Sequence, residues 1–223
     1  MKEAYEGKTM QISVLIADDH RSFRKSLKAA LECEESIRVV GDAENGARAV
    51  EACERLKPDL VLMDILMPEM SGFAACRLIK QLHEETRVLM LSMHLKEAYV
   101  KEALKAGASG YVLKDDAMNE LVSAIAAVAG GERYLSPKLA GVILRRWLGN
   151  GDGDRVAFDF LSLREREVLW LVSERKHPGE IADALGLSHK AIENHLASIV
   201  RQLDDHEMPA LVSLAVRSSI SNT

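Results

Sequence analysis

The chain is short of aromatic residues, cysteine and proline: Phe, Trp and Tyr make up 4% of 223 residues, with three Cys and five Pro. Sparse aromatics argue against a single-strand binder that stacks bases on its rings. Cys33, Cys53 and Cys76 are odd in number and far apart, so no disulfide framework or cysteine-based metal site is legible. No apolar run approaches the ~20 residues that span a bilayer. The opening MKEAYEGKTM lacks the apolar core of a signal peptide. A cytoplasmic chain without membrane contact is therefore expected. Surplus positive charge is missing as well. Against 34 Asp and Glu stand 29 Lys and Arg, a net charge of −5, whereas a compact nucleic-acid binder is usually basic. What is present, 48% hydrophobic and 28% charged residues, suits a folded chain with room for two small domains.

Five short apolar runs pass along the first half: Ile12–Ala17, Arg38–Gly41, Leu60–Met63, Val88–Leu91 and Gly110–Leu113. They are rich in Val, Ile and Leu and do not alternate with polar residues, as in strands covered on both faces. Segments of helical period lie between them, near 21–33, 46–57, 72–83, 96–106 and 116–130. This alternation predicts an α/β domain over 10–132 with a doubly wound, five-stranded parallel sheet.

The second half shows no strand pattern. Residues 133–158 read as a linker with a short helix over Leu139–Leu148 and a flexible stretch over 149–158, which contains Gly-Asp-Gly. Residues 159–223 read as an all-α, four-helix unit. Ser162 with Glu165 forms a capping box, and Pro178 and Gly186 bracket a second helix. Ser188 opens a third, on which Ile192, Leu196, Ile199 and Leu203 make one apolar stripe. A fourth follows Pro209. Two helices joined by a short Gly-containing turn form a helix-turn-helix.

In an open parallel sheet, ligands bind beyond the carboxyl ends of the strands. The first run ends in Asp18-Asp19, the third in Asp64, the fourth in Ser92 and the fifth in Lys114. Three crowded carboxylates require a proton or a cation among them, and an all-oxygen pocket suits Mg²⁺. A carboxylate beside that ion can attack phosphorus, with the ammonium and hydroxyl stabilising charge on the phosphoryl oxygens. Singly, each residue has an ordinary explanation as a cap, a turn or a solvated side chain. Jointly they point to phosphoryl transfer. His20 and His94, beside these residues, read as surface.

Residues 12–130 resemble the receiver domain of two-component response regulators. The resemblance rests on Ile16-Ala17-Asp18-Asp19-His20, on Leu62 to Pro68 with Gly72, on Leu91-Ser92, and on Gly107 to Lys114. It implies a flavodoxin-like fold in which Asp64 accepts phosphate from a sensor kinase histidine. Asp19, Asp64 and the backbone carbonyl of Leu66 would bind Mg²⁺ directly, and Asp18 through a water. Ser92 would bond the phosphoryl group and Lys114 would pair with it. Ser92 and Tyr111 match the family's switch pair. No enzymatic activity beyond the receiver's own phosphorylation and dephosphorylation is implied.

Residues 160–217 resemble the LuxR-type helix-turn-helix of the NarL/FixJ class, on Leu161 to Leu169, Glu180-Ile181-Ala182, Leu185 to Ser188, Asn194-His195-Leu196 and Leu203. The resemblance implies a homodimer on phosphorylation, with the third helix in the DNA major groove. Lys190, Glu193, Asn194, Ala197 and Arg201 lie off the apolar stripe and are the candidate DNA contacts. The chain departs from the family pattern at Ala191-Ile192-Glu193, where Thr-Val-Lys is usual, and at Pro178-Gly179, where Asn-Lys is usual. Phosphates repel a carboxylate, although Glu can accept from a cytosine amino group. The alternative is an output domain that binds DNA weakly or not at all and acts through protein partners. Glu193, Pro178 and Gly179 favour that alternative, and residues 154–223, with 8 basic and 11 acidic residues, are acidic where a DNA reader would be basic.

Overall fold

The computed structural model describes residues 11–116, 118–148, 158, 160–205 and 210–221. The chain divides into two compact units, one of residues up to His94 together with Glu102–Arg133, the other of Leu95–Lys101 with Tyr134–Thr223.

The first unit is built on β1 (Ile12–Ala17), β2 (Ile37–Ala43), β3 (Leu60–Asp64), β4 (Arg87–Ser92) and β5 (Gly110–Leu113). All four neighbouring pairs are parallel, and these strands lie in the order β2-β1-β3-β4-β5. Val14 to Ala17 on β1 and Leu60 to Met63 on β3 are fully buried, as their unbroken apolar runs require. The edge strand β2 is only partly buried, and its mixed pattern makes the legible run shorter than the strand. Helices α1 (Arg21–Leu31), α2 (Gly46–Leu56), α3 (Gly72–Leu82), α4 (Glu97–Lys105) and α5 (Met118–Ala129) follow the strands in turn. The connection from β1 runs one way along the sheet and those from β2 and β3 run the other. Right-handed crossovers therefore place α1 on one face and α2 and α3 on the opposite face. The order reverses between β1 and β3, which opens a crevice at their carboxyl ends. Cys53 and Cys76 face the core, and burial pushes both thiols up to about 12.

The second unit contains α6 (Pro137–Leu148), α7 (Leu163–Ser173), α8 (Pro178–Leu185), α9 (His189–Asp205) and α10 (Ala210–Ser221). It also contains a two-residue strand, β6 (Tyr134–Leu135), where the sequence shows no strand pattern. Two residues are too few to leave a period. The Leu135 amide donates to Ser218 Oγ on α10 at 3.1 Å. Leu139, Ala140, Ile143 and Leu144 of α6 are buried, so this part of the expected linker packs as a helix against α7 and α10. Of the flexible stretch expected over 149–158, residues 149–157 lie outside the described residues.

The caps read from sequence are formed. The Glu165 amide donates to Ser162 Oγ at 3.2 Å, and the Ser162 amide donates back to Glu165 Oε2 at 2.8 Å. Pro178 sits in the first turn of α8, and Gly186 ends it at φ 63°, a left-handed conformation that favours glycine. On α9, Ile192, Leu196, Ile199 and Leu203 are all buried. Among the described residues no helix is long and apolar enough to cross a membrane.

Candidate functional site

Asp64 is the last residue of β3, and Asp18 and Asp19 follow directly on β1. Pairing of β1 with β3 matches Ala17 to Met63, which sets the acidic pair beside Asp64 at the crevice. Asp18 and Asp64 are buried and Asp19 is partly exposed.

Lys114, just past β5, joins them. Its Nζ stands 2.5 Å from Asp18 Oδ2 and 2.8 Å from Asp64 Oδ2, with only 8% of the side chain exposed. Burial works against the charged ammonium, but the two carboxylates outweigh it and leave Lys114 above its ordinary value. Burial likewise pushes the Asp64 carboxyl up. Asp18 adds to that rise, while Lys114 and the Ile65 amide, 2.7 Å from Asp64 Oδ1, oppose it.

Ser92 ends β4, and its carbonyl accepts the Lys114 amide at 2.9 Å. Its hydroxyl accepts the His94 amide at 3.0 Å, and the Tyr111 hydroxyl donates to the His94 carbonyl at 2.9 Å. The Tyr111 ring is buried. Leu66 lies in the loop after β3 with its side chain exposed. Gly72, which opens α3, shapes this loop. A Cβ there would lie 2.0 Å from the Asp64 carbonyl oxygen, so the close approach behind Asp64 requires glycine.

Two contributors, Arg24 and Phe23, escape the sequence reading. Arg24 is buried on α1, with one NH1 bond to the Asp18 carbonyl at 2.7 Å and Nε on Asp42 Oδ2 at 2.7 Å. Its signal was an arginine in line with Leu27 and Leu31 on an apolar stripe. The Phe23 ring lies 4.8 Å from Lys114 Nζ, a cation–π contact. His20 is exposed, as expected of surface, yet its Nδ1 is 2.7 Å from Asp19 Oδ1 and 3.4 Å from Asp18 Oδ1. His94 is half-buried rather than exposed, and it serves the site through its backbone.

The carboxylates fit a hard cation. One ligand atom from each of Asp18, Asp19, His20 and Asp64 lies within 4.8 Å of all the others. Two oxygens on opposite sides of one Mg²⁺ are about 4.2 Å apart, so a small adjustment would seat an ion. The buried Oδ1 of Asp19 accepts no hydrogen bond, although the His20 nitrogen is close to it. Such an oxygen is suited to a cation.

In the second unit, Lys190, Glu193, Asn194, Ala197 and Arg201 are all exposed on α9. Lys190 Nζ is 2.9 Å from Glu193 Oε2, and His189 Nδ1 is 3.5 Å from Glu193 Oε1. These partners hold the Glu193 carboxyl below its ordinary value, Lys190 contributing most. Pro178 and Gly179 open α8, and a Cβ at Gly179 would meet nothing within 4 Å.

Comparison with known proteins agrees with both halves. The response regulator receiver domain family matches residues 14–126, and the LuxR family of bacterial regulatory proteins matches residues 159–215. The transcriptional regulatory protein DegU of Brevibacillus brevis is 35% identical, with 95% of this chain and 94% of DegU covered. Among solved structures, the signal receiver domain of NarL from Mycobacterium tuberculosis is 37% identical with a TM-score of 0.54. That match covers 55% of this chain and 99% of the NarL domain. The RcsB response regulator of Salmonella typhimurium is 28% identical with a TM-score of 0.57, covering 91% of this chain and 97% of RcsB.

Proposed function

The chain belongs to the two-component response regulators that couple a receiver to a LuxR-type helix-turn-helix, and on that basis we propose that Asp64 is its phosphoacceptor. The chain regulates transcription. The donor is the phosphohistidine of a sensor kinase. An Asp64 oxygen attacks phosphorus, the bond from phosphorus to the donor nitrogen breaks, and an aspartyl phosphate remains. Bound Mg²⁺ supplies positive charge to the phosphoryl oxygens. Asp19, Asp64 and the Leu66 carbonyl would hold it, with Asp18 acting through a water.

The observation that carries this reading is the position of Lys114 Nζ, within hydrogen-bond reach of both Asp18 and Asp64. A buried ammonium held there neutralises charge where the phosphoryl group arrives, without reorganising. Ser92 bonds the phosphoryl group, and its shift is passed to Tyr111 through His94. No other reaction is assigned to the chain. Phosphorylation favours a cytoplasmic homodimer, which sets two α9 helices on DNA half-sites. Asn194 reads an adenine edge while Lys190 and Arg201 hold phosphates, with Glu193 and Ala197 alongside.

The internal pairing of Lys190 with Glu193 favours a second reading, in which DNA affinity is low and protein partners carry the output. Selection of bound genomic fragments, with and without acetyl phosphate, separates the two. Enrichment of a defined sequence that depends on acetyl phosphate and is lost in Asp64→Ala supports the first. No enrichment even at low salt supports the second.

A further inference from the structure

The Mg²⁺ site proposed above has a neighbour that an all-oxygen site would not need. His20 Nδ1 is 2.7 Å from Asp19 Oδ1 and 3.4 Å from Asp18 Oδ1. Adjacent ligands on one octahedral ion with bonds of about 2.1 Å are roughly 3.0 Å apart. The imidazole nitrogen therefore stands at the spacing of a neighbouring coordination position. Its side chain is 69% exposed and makes no capping hydrogen bond to α1, so the carboxylates of the site, rather than the helix, hold the ring. The His20 amide, by contrast, is fixed on Asp18 Oδ1 at 2.8 Å, which anchors the backbone at the site.

We propose that His20 is a nitrogen ligand of this cation site, giving it a mixed carboxylate–imidazole donor set that takes Co²⁺ and Ni²⁺ in preference to Mg²⁺. The inference rests on the reading of Asp19 and Asp64 as direct cation ligands, with Asp18 acting through a water. Mg²⁺ keeps to oxygen donors and retains several waters, and so gains little from an imidazole. Later divalent metals gain much from it. Receiver occupancy would then respond to whichever transition metal is available.

The test uses the full chain and its His20→Ala variant, titrated calorimetrically with Mg²⁺, Co²⁺ and Ni²⁺. Only Co²⁺ and Ni²⁺ that excess Mg²⁺ displaces are counted, which sets aside other surface histidines. Because the His20 side chain caps nothing, the variant should keep its fold, and circular dichroism checks this. The expected result is a loss of ~10-fold or more in Co²⁺ and Ni²⁺ affinity, the order by which altered ligand shells weaken metal sites. Mg²⁺ affinity should change by less than about twofold, since an oxygen-seeking ion loses nothing with the ring. The visible absorption of bound Co²⁺ should also change. Equal losses for all three metals, or unchanged Co²⁺ and Ni²⁺ affinity, overturn the role of His20 while leaving the cation site intact. No binding of any of the three by the unaltered chain overturns the site and the inference together.

Discussion

The hydroxyl of Tyr111 donates to the carbonyl of His94, whose own amide donates to Ser92 Oγ. A buried aromatic ring on β5 is thereby tied, through one backbone residue, to the hydroxyl at the end of β4. Under the proposed function, movement of Ser92 toward a phosphoryl group would pull on the His94 amide and reach the ring through this pair of bonds. Tyr111→Phe keeps the ring and removes the tie. It should lower receiver stability by about 1 kcal/mol, the usual worth of one such bond. Labelling of Asp64 should persist while the effect of phosphorylation on DNA binding weakens. Denaturant unfolding and a binding comparison with and without acetyl phosphate check both parts.

Lys114 compensates two buried carboxylates at once. Lys114→Met leaves Asp18 and Asp64 facing each other without their cation, a change that typically costs about 3–5 kcal/mol at buried ion pairs. Added Mg²⁺ should restore much of that loss, because a cation relieves the same repulsion. Phosphorylation should remain strongly reduced. Thermal unfolding with and without Mg²⁺, paired with a labelling assay, distinguishes the effects.

Glu165 closes the capping box of α7 and also accepts Gln202 Nε2 from α9 at 2.7 Å, so it joins two helices of the output unit. Burial pushes its carboxyl up, but the donors from Ser162, Ser198 and Gln202 outweigh it and leave it below the ordinary 4.5. A carboxyl lowered by folding contributes stability that is complete above its unfolded value. That contribution is lost as pH falls through the lower folded value. The output unit should thus lose stability progressively below about 4.5. Glu165→Gln should be less stable at neutral pH and show a flatter acid limb in melting experiments.

Glu193 sits on the exposed face of α9 between Lys190 and His189. Glu193→Lys removes a repelled carboxylate, releases Lys190 and adds a cation. DNA binding should tighten, and the slope of log affinity against log salt should steepen by about one or two phosphate contacts. An unchanged slope would mean that this face does not approach the backbone. Filter binding across a salt series measures it.

Much of this was legible in the sequence, for identifiable reasons. Strand ends were readable because buried parallel strands leave unbroken apolar runs, so Asp64, Ser92 and Lys114 fell at the right edge. The caps of α7 and α8 were readable because Ser162, Glu165, Pro178 and Gly186 act within a few residues of one another. Contacts across the fold were not. Arg24 reaches Asp42 over 18 residues, and Phe23 meets Lys114 from another element. Nothing local announces either pairing. His20 read as surface because exposure and proximity to a site are independent properties. The strand Tyr134–Leu135 was too short to carry a pattern.

The most direct test is whether Asp64 takes the phosphoryl group. The full chain and its Asp64→Ala variant would be incubated with acetyl phosphate and Mg²⁺, and intact mass would be recorded promptly. The unaltered chain should gain the mass of a single phosphoryl group and lose it again over time, while the variant gains none. Retained phosphorylation in Asp64→Ala, or none in the unaltered chain, would contradict the assignment of this crevice as the phosphoacceptor site.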